Sequence, residues 1–238
     1  MRIAVIGATG GVGAHVVRLA VEQGHSVLAL ARDTDKIAGQ NKHLKKEKLD
    51  MTNRDAEALS KQLKGYDLVL SCLGNRRGAD PIVADGTATL MSAMGKAGVG
   101  RMAMISSIGA GDSRLQLFRQ GFGGWVFALI FATLLRKTKD DLNAAEALAI
   151  GAPAGLFYGE ASPHSRPSGV SVVVVRPAGL SDEPGDGTKY DVVAKVDGTV
   201  GGSVAREDVA RFMLTLTTDK SYDNGAVSVG GNAPRTGH

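Results

Sequence analysis

The sequence predicts an α/β fold, a single doubly wound domain built on a parallel sheet. Two observations carry this prediction. Apolar, strand-like runs alternate with helical patterns along the chain, which is the signature of βαβ units. Two of those runs, Ile3–Ile6 and Val172–Val175, are continuously apolar, as expected where helices cover both faces of a sheet. At 238 residues the chain suits one large domain over 1–238, and dividing it would leave two small cores.

The elements follow in order. Strand Ile3–Ile6 leads into a helix over Val12–Gln23, which Gly24 ends. Ser26–Leu30 is a second strand and Lys45–Leu49 a weaker third. A helix over Arg54–Leu63 precedes strand Asp67–Ser71, and Pro81 opens a helix that runs to Lys96. Strand Arg101–Ile105, a long helical region ending near Ile150, strand Val170–Val175 and helix Arg206–Thr217 complete the alternation. A last short strand, Ala226–Val229, would add an edge. Two stretches break the pattern and read as insertions, about 112–139 and 151–169. Ligands of open α/β sheets sit at the carboxyl ends of the strands, and both insertions leave or return at that edge. Either could wall a substrate pocket; the second, rich in Gly, Pro and Ser, reads equally well as surface loop. In the first, Phe122, Trp125, Phe127 and Phe131 favour an apolar wall or a subunit contact. The stretch Trp125–Leu135 serves a lid, a homo-oligomer interface or a partner surface alike.

Composition narrows the classes. Hydrophobic residues at 43% and charged residues at 22% are those of an ordinary globular chain. The 32 glycines are spread over many turns, which excludes collagen-like and low-complexity readings. Net charge is +4, with acids and bases interleaved, and no basic stripe carries interleaved aromatics, so no nucleic-acid partner is expected. Cys72 is the one cysteine, which rules out an internal disulfide and points to a reducing, cytoplasmic address. A strand beginning by Ile3 leaves no room for a charged leader and apolar signal region. As a helix, Trp125–Leu135 would span about 16 Å against a hydrocarbon core of roughly 30 Å, so no transmembrane segment is expected.

The segment Gly7-Ala-Thr9-Gly10-Gly11-Val12-Gly13 places glycines at a three-residue spacing between a strand and a helix. Gly7 permits the tight turn, Gly10 lets backbone approach a pyrophosphate, and Gly13 lets helix and strand pack closely. Amide groups at the helix start then meet the diphosphate charge. This Rossmann-type turn calls for a nicotinamide dinucleotide. The second strand selects which one: it ends Leu30-Ala-Arg32 with no acid before the arginine. Arg32 can fork onto a 2′-phosphate, and Lys36 can add a second positive charge, so NADP(H) is favoured. Asp33 argues the other way, because it could pair with Arg32 or reach a ribose hydroxyl.

Taken in order, Gly7–Gly13, Arg32-Asp33, Leu49-Asp50, Ser71-Cys-Leu-Gly74, Ser106-Ser107 and Val175-Arg-Pro-Ala-Gly179 resemble the atypical short-chain dehydrogenase/reductase superfamily. Within it the order resembles the NAD(P)H-binding, NmrA-like branch that includes biliverdin-IXβ reductase, also called flavin reductase. The likeness covers residues 1–111, 140–150 and 170–231 and fades in the insertions. The resemblance implies that Asp50 and Met51 lie by the adenine, and that Leu73, Gly74 and Arg76 line the cofactor's path. It places Ser106 and Ser107 near the nicotinamide, with Pro177, Ala178, Gly179 and Leu180 closing over the carboxamide side. Asp208 resembles the family's structural aspartate. Each assignment has a plainer alternative: Asp50 as a helix cap, Arg76 as a solvated loop charge, Ser107 as a hydroxyl satisfying backbone.

Conventional members of the superfamily pair a tyrosine with a lysine four residues later. Here Tyr66, Tyr158, Tyr190 and Tyr222 are followed at that spacing by Leu70, Ser162, Ala194 and Ala226. The position where many atypical relatives keep a lysine holds Leu142, with Lys139 one turn earlier, and the reductase-type histidine position holds Ala178. Reducing a ketone builds alkoxide charge, for which a positioned acid is worth about 10²–10⁴-fold in rate. Reducing a flavin, linear tetrapyrrole or quinone spreads that charge over a conjugated system, and water can supply the proton. Ser107 as the main polar group suits the second chemistry, hence an NADPH-dependent reductase acting on a small-molecule acceptor. The alternative is a non-catalytic, NADP(H)-sensing regulatory or scaffold protein. An epimerase, which ordinarily uses the missing tyrosine, fits less well. Ser107 has no Gly-x-Ser-x-Gly elbow, and the five histidines lack metal-ligand spacing, so neither a hydrolase nor a metal site is expected. His164 in the second insertion reads as a solvated loop residue or a proton donor, and Lys42, Lys45, Lys46 and Lys48 as a solvated face.

Overall fold

The computed structural model describes residues 1–75, 78–119, 122–150, 169–194 and 198–231. Strand β1 (Arg2–Ile6) is followed by helix α1 (Gly11–Glu22), β2 (Ser26–Ala31) and β3 (Leu44–Lys48). Next come α2 (Ala56–Leu63), β4 (Leu68–Ser71), α3 (Val83–Ala97) and β5 (Arg101–Ile105). Three helices then run in series, α4 (Arg114–Arg119), α5 (Phe122–Ala132) and α6 (Arg136–Ile150). The chain continues through β6 (Ser171–Pro177), β7 (Gly179–Ser181), β8 (Tyr190–Val193), β9 (Ser203–Ala205), α7 (Arg206–Thr215) and β10 (Gly225–Gly231).

One sheet has the order β3-β2-β1-β4-β5-β6-β10-β8, and β7 pairs separately with β9. Every pairing in the large sheet is parallel except β8 against β10. The strand order reverses between β1 and β4, so their carboxyl ends open the crevice where such sheets hold ligands.

Alternation along each strand builds two cores. Ile3 and Val5 of β1 and Val173 and Val175 of β6 face the side covered by α1 and α7, beside Val16, Phe212 and Met213. Ala4, Ile6, Val172 and Val174 face the other side, against Leu63, Leu90, Met94 and Ala145 of α2, α3 and α6. The sheet is doubly wound, as predicted. Edge strand β3 reads Leu-Lys-Lys-Glu-Lys and is half-exposed, and charges of this kind keep an open edge from pairing with another chain. Lys45 pairs with Glu47 at 2.6 Å and Lys46 donates to the Ile37 carbonyl, which makes this lysine run the solvated edge the sequence suggested.

One expectation needs correction. The last strand is not an edge: β10 lies between β6 and β8, because its apolar residues Val227 and Val229 are needed to continue the α1/α7 core. The first irregular stretch is helical over most of its length, and α6 begins inside it at Arg136. Charge-free α5 has no polar stripe along its length. Trp125, Val126, Leu129, Ile130 and, just after α5, Leu134 are exposed. The second stretch and His164 lie outside the described residues.

Candidate functional site

The first βα turn is shaped by close backbone approach. Gly7 adopts φ +75°, and a Cβ there would stand 2.6 Å from the Cys72 carbonyl oxygen. A Cβ on Gly13 would stand 2.2 Å from the Gly7 carbonyl oxygen, so α1 packs on the turn only because residue 13 lacks one. Gly10 donates to the Gly7 carbonyl at 2.9 Å and caps α1 without any side-chain hydrogen bond. Ala14 is the first to bond back into the helix, to Gly10, leaving the Gly11, Val12 and Gly13 amides without acceptors among the described residues. Thr9, Gly10 and Gly11 are exposed, Val12 is buried, and no acid occupies the first helical turn. A turn with free amides and a helix dipole fits a phosphate-bearing ligand.

On the strand-β2 side, exposed Arg32 forms no ion pair among the described residues. Asp33 pairs instead with Lys36 at 3.0 Å and accepts from the Asp35 amide at 3.2 Å. The Lys36 hydrogen bond holds the Asp33 carboxyl below its ordinary range. Lys36 therefore has its charge partly answered by Asp33, and Arg32 is the freer cation. Asp50 accepts from the Thr52 amide at 3.0 Å and its hydroxyl at 2.8 Å, capping a short 3₁₀ turn. Those bonds, with a smaller contribution from Arg32, depress its pKa. Met51 is buried under Gly86 beside Leu73. A cavity of about 470 Å³ opens beside Asp50 and Met51 and runs past Arg54 toward Glu57 and Gln62 on α2; Ser107 and Gly7 are not among its walls.

At the end of β4, Leu73 is buried and Gly74 exposed. Asn75 donates to Asp141 at 2.8 Å and accepts from the Ile82 amide at 2.9 Å. Asp141 also accepts from the Val83 and Ala84 amides, so a carboxylate on α6 caps α3 across the fold. Arg76 lies outside the described residues. Burial pushes the Cys72 thiol up to about 12, which leaves it a poor nucleophile.

Strand β5 delivers Ser106 and Ser107. The Ser106 hydroxyl points into the protein and donates to Glu146 at 2.5 Å. Glu146, 1% exposed, is gripped by the Arg176 guanidinium through Nε at 3.1 Å and Nη2 at 2.7 Å. Nη1 of Arg176 reaches Asp112 at 2.6 Å. Burial works against the charge of Arg176, but its bonds to Glu146 and Asp112 prevail and raise its pKa. Ser107 is half-buried, and its hydroxyl donates to the Ile108 carbonyl at 3.1 Å, the backbone role considered for it from sequence. Pro177 ends β6 and accepts from the Ile108 amide at 3.0 Å; Ala178 is buried, and Gly179 and Leu180 are exposed in β7. Leu142 is buried in α6, and Asp208 accepts from the Gly187 amide at 2.8 Å, a structural bond.

Sequence reasoning missed Glu146, Arg176 and Asp141. Signals were present: Glu146 stands alone among Ala144, Ala145, Ala147 and Ala149, and Arg176 follows four buried valines. A charge in such surroundings must find a partner. Among the described residues no cluster of metal-ligating side chains occurs, and no helix is long and apolar enough to cross a membrane.

The sequence pattern of a family described as NAD(P)H-binding matches residues 7–220. An uncharacterized Mycobacterium tuberculosis protein is 35% identical over 107 residues, covering 45% of this chain but 12% of its own length. The chain thus spans a small part of that relative. The uncharacterized sugar epimerase YhfK of Bacillus subtilis is 24% identical over 232 residues, 95% of this chain and 92% of its own. Among solved structures, the oxidoreductase ylbE from Lactococcus lactis superposes with a TM-score of 0.74 at 21% identity, covering 98% of this chain and 91% of that one. ChuY, an anaerobilin reductase from Escherichia coli O157:H7, gives 0.71 at 20% identity, with full coverage of both chains. These two likenesses establish the Rossmann fold.

Proposed function

The chain belongs to the NAD(P)H-binding family, and on that premise we propose that it is an NADPH-dependent reductase of a conjugated acceptor: a flavin, a linear tetrapyrrole or a quinone. The diphosphate meets the amides of Gly11, Val12 and Gly13, with Thr9 and Gly10 at the rim. Arg32 takes the 2′-phosphate with Lys36 behind it, and Asp50 and Met51 border the adenine. Leu73, Gly74 and Arg76 line the way to the nicotinamide, and Pro177–Leu180 close over it. When bound, the reduced nicotinamide supplies the hydride.

One observation supports the choice of acceptor. Leu142, at the position where the resemblance implies a lysine, is buried, while Glu146 is locked to Arg176 and Ser106. Ser107 is left to bind and orient, and a conjugated acceptor can take its proton from water. ChuY, described as an anaerobilin reductase, has the same fold. Purified protein with NADPH should lose nicotinamide absorbance on addition of FMN, biliverdin or a quinone, and not with a simple ketone. Failure with all three acceptors, despite tight NADPH binding, would overturn the assignment.

The preference for NADP(H) rests on Arg32, which has no ion pair among the described residues. Arg32→Asp should weaken NADPH by about 10–100-fold, the loss of a charge-assisted hydrogen bond. NADH should gain in relative terms; unchanged relative KM values for the two cofactors would refute the role.

A second reading, an NADP(H)-sensing scaffold, is favoured by the exposed apolar side chains of Trp125, Leu129 and Leu134. Equal affinity for oxidised and reduced cofactor without turnover would select it. The epimerase description of the Bacillus relative finds less support: Tyr66 precedes β4 at the sheet's far end and Tyr222 packs on Phe212. Strands from both ends of the chain join one sheet, which supports one domain over 1–238 with additions at 112–139 and 151–169. The single cysteine, Cys72, suits the cytoplasmic address read from the sequence.

A further inference from the structure

Helix α7 starts at Arg206, directly after β9, and lies against α1. The Arg18–Glu207 pair at 2.7 Å ties the two helices, so the position of residue 206 beside the start of α1 is fixed by packing. The Arg206 side chain is laid across the first turn of α1. A Cβ on Gly11 would meet its Cδ at 2.6 Å and its Nε at 2.7 Å. The same turn presents the amides of Gly11, Val12 and Gly13 without acceptors among the described residues. The guanidinium donates through Nη1 to Asp182, whose side chain is 92% exposed. An ion pair with so exposed a carboxylate adds little stability and exchanges readily for another anion. A guanidinium carries five donors in a fork that matches a phosphate, and three-quarters of this side chain is already desolvated.

We propose that Arg206 is the cationic clamp on the dinucleotide's diphosphate, held by Asp182 until the ligand takes Asp182's place. The inference rests on the glycine turn being the diphosphate site, and it adds a side chain from the far end of the sequence to a cradle otherwise made of backbone. It also gives Gly11 a purpose distinct from its neighbours: a side chain at that position would push the guanidinium off the turn.

Three ligands separate the outcomes by calorimetric titration. NADPH and ADP-ribose both carry the diphosphate, whereas adenosine 2′-monophosphate carries only the phosphate facing Arg32. Arg206→Gln should weaken NADPH and ADP-ribose by about 10–100-fold. It should leave adenosine 2′-monophosphate and the melting temperature unchanged. Arg206→Lys should recover part of the loss, and Asp182→Asn, which frees the guanidinium, should bind ADP-ribose at least as tightly as the wild type. A clamp is overturned if Arg206→Gln binds NADPH normally, or if it weakens all three ligands alike together with a fall in melting temperature. Wild-type protein that binds adenosine 2′-monophosphate but not ADP-ribose would overturn the glycine-turn site itself, and the clamp with it. Normal binding by Arg206→Gln without turnover of any acceptor would sink the clamp and the reductase separately.

Discussion

Replacing Glu146 by alanine will lower the melting temperature by roughly 10 °C. The carboxylate is 1% exposed and accepts from Nε and Nη2 of the nearly buried Arg176 and from Ser106, so its removal leaves that guanidinium only the exposed Asp112 as a partner among the described residues. Breaking such a pair from one side costs about 3–5 kcal/mol. In a chain of this size each kcal/mol moves the midpoint by about 2–4 °C. The double variant Glu146→Met with Arg176→Met should recover most of the loss, because an apolar pair of similar volume needs no compensation. Ser106→Ala, which removes one hydrogen bond, should cost about 1 kcal/mol. A Glu146→Ala midpoint within 2–3 °C of wild type would show that the pair is not carrying the junction between β5, β6 and α6.

Gly13→Ala should be the more damaging change for binding. The added methyl meets backbone, the Gly7 carbonyl oxygen at 2.2 Å and the Ala8 Cα at 3.3 Å, and neither can step aside without moving the turn. Overpacking of this kind costs about 3 kcal/mol, more than the roughly 1 kcal/mol that alanine gains over glycine in a helix. Relief comes by lifting α1 off β1, which carries the Gly11–Gly13 amides away from the diphosphate. NADPH affinity should fall by at least about 100-fold, on the order of 3 kcal/mol, alongside a lower melting temperature. Gly123→Ala is the control for a helical glycine in open space, since no atom lies within 4 Å of its added Cβ. A Gly13→Ala protein that binds NADPH as the wild type does would remove the packing argument for the cradle.

The parts of the fold that the sequence reveals are those governed by a regular period. Buried parallel strands such as Val172–Val175 are apolar at every residue, and the glycine turn carries its spacing openly. Strands β7 and β9 are three residues each, too short for any period to register. Strand β8 is half-exposed along its length, so its residues carry no burial pattern to read. The site divides along the same line. Amide groups and glycines announce themselves by position, and Arg32 by its place after β2. The Glu146–Arg176 pair joins residues 30 apart on a helix and a strand, and only the fold brings them together. Arg206 meets Gly11 across nearly the whole chain, which no local pattern reports.

The position of β10 has a consequence for biosynthesis. On a ribosome, β8 emerges more than thirty residues before β10, its one neighbour in the large sheet among the described residues. Until residues 225–231 arrive, β6 presents a naked border to solvent and β8 lacks the strand it pairs with. Vectorial folding can therefore complete the first five strands early, but the carboxy-terminal third must close in one late, concerted step.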